Sequence, residues 1–293
     1  MRFTLVVVTT DRLELVERLF RSLAAQTRAG DFEVIFVHSQ VCAAEAKALA
    51  GKYAYGFPIT CLTSQDHCLS RSRNSALPLI SGDVVAFPDD DCVYRADTLA
   101  RAAAAFEREP DAGVILGHVA DLSDIAVVPD ERPQHLAAPV ELTHCRFLFR
   151  HSISFVQFHK KECVRAVGKF DENMGVGCAT PYQSGEDTDY VLRARKAGFR
   201  VFHDASVAVG HPAVNLHGAA LREKVESYAR GRMRLLHKHG LPGWFVLANI
   251  AYPLLCIPAE SWRRGVYAAR YRWWVFSARL TAWIEGIAAD KSK

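Results

Sequence analysis

The chain has 293 residues, 50% hydrophobic and 23% charged, a balance that excludes a disordered or collagen-like protein and leaves ample apolar material for a core. The formal net charge of +4 is no signature of nucleic-acid binding, but it is unevenly spread. Residues 219–293 carry 13 Lys/Arg against 5 Asp/Glu, while residues 1–218 carry 23 against 27, so an acidic body, 1–218, is followed by a basic extension, 219–293.

Phe3–Thr9 (FTLVVVT) is a short β-branched run, the pattern of a buried strand. Thr10 and Asp11 offer N-cap oxygens to a helix on which Leu13, Val16, Leu19, Phe20 and Leu23 share one face. Strand patterns follow at Glu33–Val37, Ile59–Leu62, Asp83–Phe87 and Gly113–Gly117. Helix patterns fall at Ala43–Ala50, closed by Gly51, and at Ala96–Phe106. This alternation indicates an α/β fold: a doubly wound, mostly parallel sheet with helices on both faces. Ligands of such sheets sit beyond the carboxyl ends of strands. That directs attention to Thr9–Arg12, His38–Gln40 and Pro88–Cys92. Neither a dinucleotide-binding glycine turn nor a P-loop follows the first strand.

Residues 121–146 are irregular and Pro-punctuated, and strand patterns return at Ile153–Phe158, Phe199–Phe202 and Val207–Val209. The eight cysteines show neither a C-x-x-C pair nor Cys/His zinc spacing. Most read as small buried hydrophobes in a reducing, cytoplasmic compartment. Met1–Thr4 runs into the first strand without a cleavable leader pattern.

Asp89-Asp90-Asp91 follows an apolar strand directly. Three carboxylates there repel one another unless a cation compensates, and hard divalent ions take carboxylate oxygen. In extended chain Asp89 and Asp91 point the same way and Asp90 oppositely. The alternative is a solvated acidic turn. Ser184-Gly185-Glu186-Asp187 precedes a helical run, Tyr190–Ala197. It reads equally as an S-x-x-D capping box or as a carboxylate placed at a helix start to accept a proton.

In the basic extension, Glu223–His239 reads as a helix. Gly243–Ala259 is apolar but interrupted by Asn249, Pro253 and Pro258, too broken for a spanning helix and suited to a re-entrant or interfacial segment. Trp262–Trp283 mixes tryptophan with arginine, as the headgroup region of an anionic membrane favours. Packing on the body or self-association is the alternative. An RNA-binding motif is absent, so no nucleic-acid partner is expected.

Taken in order, Val6–Arg12, Leu69–Asn74, Ala86–Cys92 and Gly168–Glu172 leading to Gly185–Asp189 resemble an inverting family 2 glycosyltransferase with the GT-A fold. The resemblance covers roughly residues 1–212. It implies that Thr9 and Asp11 touch the donor's base or ribose and that Arg73 and Asn74 lie near its diphosphate and sugar. Asp89 and Asp90 would contact the donor, and Asp91, Asp89 and His211 would hold Mg²⁺ or Mn²⁺. Asp187 would be the general base, supported by Glu186. A lone histidine such as His211 is otherwise structural, and Arg12 reads rather as a surface charge than as a phosphate contact.

Where the family carries an acidic pair after the second strand, this chain has His38-Ser39, which leaves the nucleotide open: UDP by default, GDP or dTDP otherwise, with Asp66 a possible substitute acid. The implied activity is transfer of a sugar from a nucleotide-diphosphate sugar to a hydroxyl of a glycan or lipid-linked acceptor, in surface polysaccharide or glycolipid synthesis. The implied location is cytoplasmic, peripheral on the inner face of the cell membrane, and homo-oligomerisation stays open. The alternative is a degenerate nucleotide-sugar-binding or membrane scaffold protein.

Overall fold

The structure, a computed structural model, describes residues 1–27, 31–122, 138–212 and 221–291, the last five by backbone alone. Most of the irregular stretch expected between 121 and 146 lies outside the described residues, as does the 218/219 boundary. The chain forms two compact units, residues 1–170 with 187–213, and residues 171–186 with 214–293.

The first unit is α/β. In chain order it contains β1 (Phe3–Thr9), α1 (Leu13–Ala24), β2 (Phe32–Ser39), α2 (Ala43–Tyr53), β3 (Ile59–Ser64), α3 (Leu69–Ala76), β4 (Val84–Ala86), β5 (Val93–Tyr94) and α4 (Thr98–Arg108). It continues with β6 (Ala112–Asp121), β7 (Val140–Glu141), α5 (Cys145–His151), β8 (Gln157–Lys160), α6 (Lys161–Val167), α7 (Glu186–Lys196, whose first residue falls in the second unit) and β9 (Arg200–His211). The strands form one sheet in the order β3-β2-β1-β4-β8-β6-β9-β5, with β7 also on β9. β1, β2, β3 and β4 run parallel; β8 is inserted antiparallel between β4 and β6.

Alternation on β1 explains the two-faced burial. Phe3, Leu5 and Val7 enter one core with Val16, Leu19 and Phe20 of α1, and Val6 enters the other with Phe87, Phe170 and Tyr190. Phe20 is fully buried against Phe36 and Phe57, and truncating such a side chain to alanine costs about 3–5 kcal/mol.

Three local expectations change. α2 continues through Gly51 to Tyr53, because an exposed mid-helix glycine costs only about 1 kcal/mol and does not force a stop. Ile153–Phe158 divides into a short 3-10 turn, Ser154–Val156, and then β8. The two strands expected at Phe199–Phe202 and Val207–Val209 are one strand, β9, whose pairing with β6 shifts register between Leu116 and His118. Gly117 permits that close approach, since a Cβ there would lie 2.4 Å from the Val207 carbonyl oxygen. Cys42, Cys61, Cys92, Cys145, Cys163 and Cys256 are free thiols.

The second unit carries α8 (Leu221–Lys238), α9 (Gly243–Leu255), α10 (Ile257–Arg264) and α11 (Val266–Lys291). The apolar segment divides into two helices at Cys256, between the two prolines. Pro253 sits inside α9 and Pro258 in the first turn of α10, where its missing N–H costs little. The resulting stretch, Gly243–Arg264, is by length and composition sufficient to cross a membrane, and only 17% of its most apolar window is buried.

Candidate active site

The site grows from the chain beyond β4. Asp89 bridges Val8 of β1, which brings the aspartates to the edge where β1 ends. Period-two geometry then separates their roles. Asp90, nearly fully buried, accepts from Thr9 Oγ1 at 2.7 Å and from Arg12 Nε at 3.1 Å. Asp89 and Asp91 point instead toward His211, and one ligand atom from each of the three lies within 4.8 Å of the others.

His211 arrives through sheet pairing: β5 opposes β9 with Val93 on Gly210, so the residues flanking that pair meet. Its Nε2 lies 3.2 Å from Asp91 Oδ1. Its Nδ1 is 2.8 Å from the Pro212 carbonyl, which can only accept, so Nδ1 carries a proton there. Phe155 stacks on the ring at 4.5 Å. Two carboxylates and an oriented imidazole form an oxygen–nitrogen set suited to a divalent cation such as Mg²⁺ or Mn²⁺.

Arg73 is buried beneath this cluster. It donates to Asp89 Oδ1 at 3.0 Å, lies over Phe170 at 5.5 Å and over Phe87 at 5.9 Å, and Ser154 Oγ donates to the same oxygen at 3.1 Å. Asp187 enters from the first turn of α7. Tyr190, one turn along that helix, stacks on Phe170 at 4.1 Å, and Phe170 packs edge-on against Phe87, two residues before Asp89. This aromatic trio ties the two acidic stretches together. Asp187 Oδ1 accepts the Thr188 N–H at 2.6 Å, and Gln157 Nε2 donates to the Asp187 carbonyl at 3.2 Å.

The electrostatics follow the placement. Burial pushes Asp187 upward, moderated by Thr188 and the Arg73 cation and reinforced by the Asp89 charge. Burial likewise raises Asp89 against the pull of Arg73, with Asp91 adding repulsion. Asp90 is pushed up to about 6 by burial, despite Thr9 and Arg12. Asp91 is held low, first by the His211 hydrogen bond. Burial disfavours His211's charge, yet Asp91 raises it overall. Raised carboxyl groups packed beside one another are what a bound cation relieves.

Other residues singled out in the sequence are placed differently. Asn74 spends its amide on the Phe170 backbone, accepting from the N–H at 2.7 Å and donating to the carbonyl at 3.0 Å, so it anchors the aromatic trio. Asp11 is exposed before α1. Glu186 is buried at the start of α7. Ser184 Oγ donates to the Tyr228 carbonyl at 2.9 Å, and α7 starts at Glu186, so Ser184 lies one residue before the N-cap position. His38 is buried with Nδ1 3.1 Å from the Ser39 carbonyl, and Ser39 Oγ accepts the Val41 N–H. Asp66 pairs with Arg71 and accepts the Cys68 N–H at 2.8 Å.

Arg12, read as a surface charge, is ion-paired with both Asp90 and Asp91. Arg18 donates to the Asp91 carbonyl at 2.7 Å. Ser154 and these two arginines carry no local sequence signal. Only an unpaired acidic run downstream hints that cations must be supplied from elsewhere.

The sequence model of the family described as Glycosyl transferase family 2 matches residues 4–150. Among curated proteins, Protein CgeD of Bacillus subtilis is 22% identical over 179 residues, covering 54% of this chain and 40% of CgeD; the chain spans about two fifths of that relative's length. Among solved structures, the mannosyltransferase PcManGT from Pyrobaculum calidifontis, in complex with GDP-Man and Mn²⁺, has a TM-score of 0.65 at 18% identity, over 99% of this chain and 88% of that one. S. aureus TarS 1-349 in complex with UDP-GlcNAc has a TM-score of 0.58 at 16% identity, over 99% and 92%. Against a longer S. aureus TarS chain the TM-score is 0.59 at 20% identity, over 90% of this chain and 44% of that one. These likenesses establish the shared fold.

Proposed function

From the premise that this chain belongs to glycosyl transferase family 2, an enzyme family, we propose that it transfers a sugar from a nucleotide-diphosphate donor, most favourably a UDP-sugar, to an acceptor hydroxyl with inversion. The observation that carries this reading is that Phe170 packs both on Phe87, two residues before Asp89, and on Tyr190, three residues after Asp187, which sets the acidic loop beside the start of α7. The group able to take a proton and the groups able to hold a metal therefore belong to one cluster. The donors named for the compared structures, UDP-GlcNAc and GDP-Man, support the donor class.

Asp89, Asp91 and His211 would hold Mg²⁺ or Mn²⁺, which when bound supplies Lewis-acid neutralisation of a departing diphosphate. Asp187 takes the proton of the acceptor hydroxyl as its oxygen bonds to the anomeric carbon and the bond to the phosphate oxygen breaks. One displacement inverts the centre. Its raised pKa brings this carboxylate closer to the working pH, where a base is most effective, and such a base contributes about 10²–10⁴-fold. Arg73 fixes Asp89, and Thr9 with Arg12 fixes Asp90, so the acidic loop is oriented before ligands arrive.

The test is nucleoside diphosphate release from a panel of UDP-, GDP- and dTDP-sugars with and without Mn²⁺. Selective, metal-dependent release supports the proposal. Binding without turnover in the presence of diverse glycan acceptors would instead favour a degenerate sugar-nucleotide scaffold.

The acceptor belongs to surface glycan or glycolipid synthesis, and the C-terminal helices dock on the cytoplasmic, anionic face of the cell membrane. Support comes from Trp244, Leu255 and Trp262, which are 68%, 75% and 91% exposed at roughly helical spacing with Leu247 and Ala248 between them. No Asp or Glu occurs over residues 243–259, and Arg263 and Arg264 follow. An outward apolar stripe of this size needs a partner. Two such stripes facing each other in a dimer would oppose arginine to arginine, with Glu260 already paired to Arg272. Sedimentation with phosphatidylglycerol vesicles, lost in Leu255→Asp and with purely zwitterionic vesicles, is the expected outcome. A stable dimer indifferent to vesicles would overturn it.

A further inference from the structure

Arg12 shares a carboxylate with the candidate cation site. It is the N-cap residue of α1, and its side chain makes no cap of its own. Its N–H donates to Thr9 Oγ1 at 3.3 Å and its carbonyl accepts the Val16 N–H at 3.2 Å, so the backbone is held from both sides. The side chain is freer: 52% of it is exposed, and its guanidinium reaches across the acidic loop to Asp90 and to Asp91 Oδ2, the latter at 3.1 Å.

Asp91 is therefore divided. Its Oδ1 lies 3.2 Å from His211 Nε2 and its Oδ2 faces Arg12. A divalent cation drawn to Asp89, Asp91 and His211 meets a carboxylate that a guanidinium already neutralises, and two cations on one carboxylate repel each other at short range. Asp90 gives no relief, because the same guanidinium and Thr9 hold it. The two arginines of the acidic loop also differ in freedom. Arg73 is buried on Asp89 between Phe87 and Phe170, whereas the Arg12 side chain has solvent into which it can turn.

We propose that Arg12 makes cation and nucleotide binding interdependent: its guanidinium opposes a cation at Asp91 until a nucleoside diphosphate arrives, and then turns from Asp91 to that diphosphate. The inference rests on the donor and cation reading of the site proposed above. A diphosphate brings negative charge to the edge where the guanidinium and the cation meet. It offers the guanidinium oxygens that can accept two parallel hydrogen bonds, and it leaves Asp91 to the cation. Such coupling is reciprocal, so the factor by which the nucleotide tightens the cation equals the factor by which the cation tightens the nucleotide. The cation then enters and leaves with the nucleotide instead of staying on the protein alone.

Mn²⁺ binding, read by electron paramagnetic resonance without donor sugar or acceptor, tests this directly. It is measured alone and with UDP or GDP, corrected for the Mn²⁺–nucleotide complex in solution; uridine and guanosine serve as controls without phosphate. In the wild type the nucleoside diphosphate that binds is expected to tighten Mn²⁺ about tenfold or more, and the nucleosides not at all. Arg12→Gln should bind Mn²⁺ alone about threefold or more tighter than the wild type, with the nucleotide-dependent gain cut about fivefold. Arg12→Lys keeps the charge without the paired donors, so it should bind Mn²⁺ alone as the wild type does and gain less from the nucleotide. Thr9→Val frees Asp90 without removing a charge and should bring no gain in Mn²⁺ affinity. Mn²⁺ affinity in Arg12→Gln equal to or below that of the wild type, a full nucleotide-dependent gain in Arg12→Lys, or an equal rise in Thr9→Val overturns the assignment. If the wild type binds Mn²⁺ and nucleotide and Arg12→Gln behaves identically, only the role of Arg12 falls; a wild type that binds neither removes the cation and donor reading along with it.

Discussion

Arg73, 1% exposed, donates to the Asp89 carboxylate at 3.0 Å while sandwiched near the rings of Phe87 and Phe170. A buried guanidinium between aromatic faces and an acidic loop is placed to hold the loop's charge before any substrate binds. Replacing it with methionine leaves Asp89 without its cation beside Asp91, an uncompensated charge that costs about 3 kcal/mol. Urea unfolding should show that loss, with Arg73→Lys recovering part of it. Equal stability of the wild type and Arg73→Met would remove the ion pair from the account of the site.

Asp187→Asn keeps the shape of the side chain and removes its basicity. Donor affinity is expected to stay within a factor of about two while kcat falls about 10²–10⁴-fold. Single-turnover kinetics with saturating donor distinguish this from a binding defect, which would appear instead as a raised KM.

His211 is oriented by Pro212 and Phe155, so its removal would take away an imidazole already set beside Asp91. His211→Ala should weaken Mn²⁺ binding about 10–100-fold by electron paramagnetic resonance. The thermal stabilisation conferred by Mn²⁺ should shrink accordingly. Unchanged Mn²⁺ affinity would exclude His211 from the metal centre.

Gly231 of α8 admits Ser184 against its backbone: a Cβ there would lie 2.4 Å from the Ser184 carbonyl oxygen and 2.8 Å from its nitrogen. Backbone cannot yield cheaply, and overpacking of this kind costs about 1–3 kcal/mol. Gly231→Ala is therefore expected to shift the segment that leads into Asp187 and to lower both melting temperature and kcat. Retention of both would mean that the segment relaxes without consequence.

His159 is fully buried, with its Nε2 2.9 Å from Gln157 Oε1 and its Nδ1 unpartnered. Burial pushes its pKa down to about 3, and burial lowers His203 to about 4. The unfolded chain binds these protons near pH 6.5 and the folded chain does not, so stability is complete above that pH and declines as pH falls toward the folded values. His159 alone accounts for about 2 kcal/mol lost between pH 7 and 5 and about 4 kcal/mol by pH 3. Chemical unfolding at pH 7 and pH 5 should show this loss, and His159→Gln should flatten it; an unchanged pH slope in the variant refutes the assignment.

The sequence by itself determined the alternation of strands and helices, because hydrophobic period and turn residues are local properties of a chain. It also determined that Asp89 and Asp91 share a side of their segment while Asp90 does not, since successive side chains of extended backbone alternate. Only the tertiary structure decided which distant groups complete the cluster. His211 reaches Asp91 because β5 pairs with β9, Arg12 reaches Asp90 because β1 lies beside β4, and the start of α7 is brought beside the acidic loop by the packing of Phe87, Phe170 and Tyr190. The same holds for Asn74, turned to the Phe170 backbone, and for Ser184, bonded to Tyr228. Each of these partners lies tens of residues away in the chain. A contact at that separation is set by sheet order and packing, for which neighbouring residues carry no periodic signal.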